Sequence, residues 1–202
     1  MRVIAGKYRS RQLVSVPGEQ TRPTYDRLRE TLFNVLQGSM ALQDAAVLDL
    51  YAGSGAIGIE ALSRGAGCVH FVEKERKAAA IIRRNLTQLG IGKEKTEAAV
   101  IHETPAAAAL RRLSESGTRF ALIFLDPPYA LEREYRQTLE KIAASSLLAE
   151  GGLAVAEHEK FYDPGAEFGG LRRFRLLTQG NSCLSFYRLQ PETPATGEAA
   201  PL

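Results

Sequence analysis

Two short stretches of this chain carry residue types that could do chemistry. The first, Leu48-Asp49-Leu50-Tyr51-Ala52-Gly53-Ser54-Gly55-Ala56-Ile57-Gly58, sets glycines between an apolar run and a helical pattern. Glycine lets the backbone approach a ligand closely, and a helix N-terminus supplies unpaired N–H groups, so the stretch suits a nucleotide-like ligand. Glu73 stands 20 residues beyond Gly53, at the end of the next apolar run. A carboxylate there can accept from ribose hydroxyls. Gly53-x-Gly55-x-x-Gly58 also fits the dinucleotide fingerprint. Asp49 argues for another ligand, because a carboxylate within the entering strand repels a pyrophosphate. It suits a cofactor with an ammonium group and no phosphate, such as S-adenosylmethionine.

The second stretch is Asp126-Pro127-Pro128-Tyr129, directly after the apolar run Phe120–Leu125. Open α/β sheets bind ligands outside the carboxyl ends of their strands, which puts both stretches on one rim. Consecutive prolines fix φ and remove donors, leaving carbonyls free to accept. Asp126 and the Pro127 carbonyl can then hold the two hydrogens of an exocyclic amine and turn its lone pair toward an electrophilic methyl group. Tyr129 offers a face on which a purine can stack.

The elements that must position these residues follow from periodicity. Two short strands are expected near Val3–Ala5 and Leu13–Val16, closed by Pro17-Gly18. Thr24 is a candidate N-cap for a helix carrying Leu28, Leu32, Val35 and Leu36 on one face and ending at Gly38. Strands over 47–50, 68–72, 98–101, 120–125 and 152–157 then alternate with helices over 56–63, 74–89, 106–114 and 133–145. That alternation predicts a mostly parallel α/β sheet covered on both faces. Strands over 174–177 and 183–189 have no helix between them and should form an antiparallel edge hairpin. The expected organisation is a basic hairpin-and-helix extension over 1–38, a Rossmann-like domain over 39–189, and a disordered tail over 190–202.

Composition narrows the class. The 202 residues carry a net charge of +3, yet residues 1–30 alone sum to +4. That asymmetry points to a polyanionic partner at the N-terminal end. Lys7, Arg9, Arg11, Arg22, Arg27 and Arg29 are the candidates for phosphate contacts; Arg22 and Arg27 also flank a loop that could fold over the cofactor. No apolar run approaches the roughly 18–20 residues of a membrane span. The charged N-terminus is unlike a signal peptide, and the chain reads as cytoplasmic. Cys68 and Cys183 lack CxxC spacing, and His70, His102 and His158 lack metal-ligand spacing, so no metal is expected.

Together, Arg2–Tyr8, Thr21–Glu30, Leu48–Gly65 and Asp126–Tyr129 resemble the ribosomal RNA small-subunit methyltransferase D family. Thr-Arg-Pro-Thr-x-Asp-Arg-x-Arg-Glu at 21–30 is the most distinctive of these motifs. The resemblance implies a class I methyltransferase fold and methyl transfer to the 2-amino group of one guanine in 16S rRNA. It further implies small-subunit particles as partner and a monomer as the working state. Carried over by position, Asp49, Tyr51, Gly53, Ser54, Gly55 and Glu73 would bind S-adenosylmethionine, and Asp126, Pro127, Pro128 and Tyr129 would hold the base. The chain departs from the pattern at Ile101-His102-Glu103-Thr104-Pro105, where an Asp or Asn often recognises the adenine; either Thr104 or a backbone amide takes over that contact, or the stretch matches the family one residue out of register. The alternatives are a methyltransferase for adenine, cytosine or a protein amide, a nicotinamide-dependent dehydrogenase, and a non-enzymatic RNA-binding protein. Asp126 disfavours the first, because those relatives tend to carry Asn there.

Overall fold

The computed structural model describes residues 1–17, 23–92, 98–128 and 131–190. Arg22, Tyr129 and the tail from 191 lie outside them. Among the described residues one sheet of eight strands runs in the order β3-β2-β1-β4-β5-β8-β7-β6. Strands β1 (Ala46–Leu50), β2 (Cys68–Val72), β3 (Ala99–His102), β4 (Phe120–Leu125) and β5 (Leu148–Glu159) are parallel, while β6 (Glu167–Phe168), β7 (Leu171–Gln179) and β8 (Ser182–Leu189) join antiparallel.

Alternation along the strands sorts side chains to two apolar layers. Val47, Val69, Phe71, Leu122, Phe124 and Val155 face one layer, covered by α1 (Pro23–Ser39), α2 (Ala56–Ser63) and α3 (Arg76–Leu89). Leu48, Leu50, Ile123, Leu125 and Ala156 face the other, covered by α4 (Ala106–Glu115) and α5 (Glu132–Ala143). Val3 and Leu13 of the N-terminal segment join the first layer. No described helix is long and apolar enough to cross a membrane.

Three expectations change. The N-terminal segment forms one isolated bridge, Arg2 to Gln12, and no paired strands at 3–5 and 13–16. The ladder stops because the next amides bond elsewhere: Ile4 and Ala5 donate to Glu60, Lys7 and Tyr8 to Ser63, and Val14 to Asn85. Strand β5 starts earlier than expected, at Leu148, and the register slips from Phe120–Leu148 to Leu122–Leu153 around Gly151 and Gly152. The two-residue β6, too short to show a period, extends the edge beyond β7.

Candidate active site

Strand order reverses between β1 and β4, so connections leave in opposite directions and open a crevice at their carboxyl ends. A cleft of about 1530 Å³ lies there, and Asp49, Tyr51, Gly53, Ser54, Glu73, Thr104, Asp126, Pro127 and Pro128 all line it. Gly55 does not; it turns the chain into α2 in the left-handed region, φ 79°.

The turn is built from its own residues. Gly53 N–H donates to Glu73 Oε2 at 2.9 Å and Glu75 N–H to Glu73 Oε1 at 2.8 Å, so one carboxylate ties the turn to the end of β2. Gly58 N–H donates to Asp49 Oδ2 at 2.9 Å. A Cβ on Gly58 would come within 2.3 Å of the Phe71 ring, so this glycine is needed for close packing of α2 on β2. Tyr51 holds φ 60°, unusual for a side-chain-bearing residue, and its hydroxyl donates to Glu134 Oε2 at 2.9 Å. Asp49 is 2% exposed. Burial pushes its carboxyl up to about 8, Gly58 N–H opposes the rise, and the like charge of Glu73 adds to it.

At the Asp-Pro-Pro turn, Asp126 is half-buried and Pro127 buried. The Pro127 carbonyl already accepts from Tyr135 Oη at 3.2 Å, which fixes its direction and leaves its second lone pair. The Pro128 carbonyl accepts from Leu131 N–H at 2.8 Å, closing the turn into α5. Thr104 lines the cleft, but its N–H is engaged by the carbonyls of His102 and Glu73. Its side chain lines the cleft beside the α4 start at Ala106 and Ala107.

The basic candidates divide. Lys7, Arg9, Arg11 and Arg27 are exposed. Arg29 is a correction: it is 5% exposed, donates to the Arg2 carbonyl and to Asp26, and lies 3.9 Å from buried Glu60. It holds the N-terminal segment onto α1 and is not placed to meet phosphate.

The chain is similar to known proteins. Residues 1–188 match the family described as Conserved hypothetical protein 95. YlbH of Bacillus subtilis is 37% identical over 188 residues, 93% of this chain and 98% of that protein. Ribosomal RNA small subunit methyltransferase D of Escherichia coli K12 is 35% identical over 159 residues, 79% of this chain and 75% of that protein. This chain belongs to the ribosomal RNA small subunit methyltransferase D family. It is a methyltransferase of the class I fold. The solved structure of Escherichia coli yhhF superposes with a TM-score of 0.78 at 29% identity, covering 95% of this chain and 99% of that one. At the level of fold alone, SMU.776, solved as a complex with SAH, superposes with a TM-score of 0.64 at 13% identity, over 80% of this chain and 48% of that one.

Several residues that position the methyltransferase site were not legible in the sequence. Asn85 Oδ1 accepts from Val14 N–H at 2.8 Å, and its Nδ2 donates to the Val14 carbonyl at 3.0 Å and the Ser54 carbonyl at 2.9 Å. One buried amide thus joins the N-terminal segment to the glycine turn. Tyr135 and Glu134 act through α5 in the same way. Their only sequence signal is a helical period, which core residues share.

Proposed function

We propose that this enzyme transfers a methyl group from S-adenosylmethionine to the 2-amino group of a guanine in 16S rRNA of the small ribosomal subunit. The observation carrying the reading is one cleft that brings together the glycine turn with Asp49 and Glu73 and the Asp126-Pro127 pair of acceptors. The residues suit the cofactor: Glu73 keeps lone pairs for ribose hydroxyls after its two backbone bonds, and buried Asp49 complements a cation. Tyr51, Gly53 and Ser54 complete that half of the cleft, and Gly55 shapes it. When bound, the cofactor supplies an electrophilic methyl on a sulfonium.

The guanine amine is a weak nucleophile because its lone pair is conjugated with the ring. It becomes far more acidic as it gains the methyl, so a strong base is not required. Asp126 and the Pro127 carbonyl orient the two N–H groups and stabilise the charge that develops on nitrogen. Orientation of this kind can supply about 7–11 kcal/mol. Tyr129 stacks on the base, which must leave its own stack at a cost of a few kcal/mol. Lys7, Arg9, Arg11, Arg22 and Arg27 meet phosphates and give affinity without reading sequence. The relative from Escherichia coli is named for the small-subunit RNA, which supports this substrate class.

The test is incubation with labelled S-adenosylmethionine and small ribosomal subunits from a strain lacking the modification, followed by mass spectrometry of the RNA. Label on the 2-amino group of one guanine is expected. Label only on adenine or cytosine amines would overturn the reading.

A further inference from the structure

A second carboxylate lines the cleft with Asp126 and has no part in the chemistry described so far. Strand β5 runs parallel to β4 with Ala156 and Leu125 as the last paired residues; Glu157 and Asp126 are the next residue on each side, and both line the cleft. Val155 and Phe124, two residues earlier in each strand, share the sheet face covered by α1, and alternation returns Glu157 and Asp126 to that side. Glu157 is 5% exposed and lines the cleft together with Asp126, Phe124 and Leu184. Its neighbour across the other edge of β5 is Leu184 of β8.

Strand order gives this position its meaning. The cofactor turn follows β1 and is tied to β2, on one side of β4, whereas β5 lies on the other. Glu157 is therefore on the side of Asp126 away from the cofactor, where a base presenting its amine to Asp126 must extend.

The bases differ in what stands next to the target amine. Guanine carries N1–H, a donor, beside its 2-amino group. Adenine and cytosine carry a ring-nitrogen acceptor beside theirs, which a carboxylate repels. Two adjacent carboxylates thus match the paired donors of guanine alone. Resting on the proposed guanine reading, we propose that Glu157 is the specificity-determining residue that accepts the N1–H of the target guanine while Asp126 holds its 2-amino group.

The experiment compares wild type with Glu157→Gln on small-subunit RNA carrying either guanine or 2-aminopurine at the mapped position. 2-Aminopurine keeps the amine but has an acceptor at N1. On guanine, Glu157→Gln should lower kcat/KM by about ten- to hundred-fold, the value of a hydrogen bond to a charged group. Its S-adenosylmethionine affinity and melting temperature should stay at wild-type values. On 2-aminopurine the order should reverse: wild type becomes slow, and Glu157→Gln, which can donate to N1, overtakes it. Equal losses on both RNAs would make Glu157 a structural residue and overturn the assignment, as would wild-type rates on guanine. Absence of wild-type transfer to any guanine would instead overturn the substrate reading itself, and the assignment with it.

Discussion

The two halves of the cleft are held together differently. On the glycine-turn side, carboxylates at the ends of β1 and β2 accept from backbone amides: Asp49 from Gly58, and Glu73 from Gly53 and Glu75. On the N-terminal side, the segment that reaches the cleft has no sheet of its own and hangs from helix side chains. Buried Glu60 takes Ile4 and Ala5 N–H at 2.7 and 3.0 Å, with Arg64 2.8 Å away, and Asn85 takes Val14. The turn meets the arm at Asn85, which bonds both Val14 and the Ser54 carbonyl, and at Ser54 Oγ, which donates to Met1 Sδ at 3.8 Å, but its carboxylate bonds do not pass through the arm. The arm cannot exist without α2 and α3.

Asp126→Ala gives the largest expected effect and separates the two functions. Methyl transfer should fall by at least about 10²–10³-fold, as for loss of one preorganised electrostatic contact. S-adenosylmethionine affinity measured by calorimetry should not change. Turnover near wild type would remove Asp126 from the chemistry.

Glu60→Ala attacks the arm. Removing one member of a buried ion pair leaves Arg29 and Arg64 without their shared carboxylate, which costs about 3–5 kcal/mol. Denaturant unfolding should show that loss, and limited proteolysis should cut near residues 4–8 first. Unchanged stability would mean that the arm is held by Val3 and Leu13 alone.

Glu73→Ala attacks the turn. Cofactor affinity should weaken by about 1.5–3 kcal/mol for each charge-assisted bond lost. Protection of the arm from protease should persist. If both regions loosen together, the two halves are not held separately.

These contrasts also explain what could be read from sequence. The strand–helix alternation, the glycine turn and the Asp126 rim were legible because each is a local pattern with a period of 2 or 3.6 or a fixed turn chemistry. The arm was not. Its amides bond to Glu60, Ser63 and Asn85, whose spacing to their partners carries no signal along the chain. Arg29 sat in a basic run and looked like a phosphate contact, but α1 turns it inward toward Asp26 and Glu60. Asp49 was legible as a carboxylate in the strand that enters the glycine turn. Its burial and the Gly58 N–H that it accepts depend on how tightly α2 packs against β2.

The exposed charges of the arm give a smaller effect. A Lys7→Ala, Arg9→Ala double variant should lower the logarithmic salt slope of RNA binding by one to two units, at roughly 0.7–0.9 per phosphate contact. Cofactor affinity should be untouched. An unmoved slope in filter binding across salt concentrations would make the arm a solvated face and shift RNA contact to other surfaces.

The smallest effect, less than one proton per site, belongs to Asp49 and sharpens what the cofactor half does. Its carboxyl is raised from an ordinary 3.8 to about 8 by burial, with the Gly58 bond opposing and Glu73 adding. Between those values the native protein binds a proton that the unfolded chain has released, so this group makes stability fall as pH rises from about 4 to about 8. Asp49→Asn should flatten that part of the stability curve, measured by thermal unfolding at stepped pH. A cation bound against Asp49 favours its ionised form. S-adenosylmethionine binding at pH 7 should therefore release a proton, with affinity rising toward pH 8 and the release vanishing well above it. Calorimetry in two buffers of different ionisation enthalpy reads the release directly, and Asp49→Asn should abolish it. Binding without proton release in the wild type would place the cation away from Asp49, leaving that carboxyl only the structural task of holding Gly58.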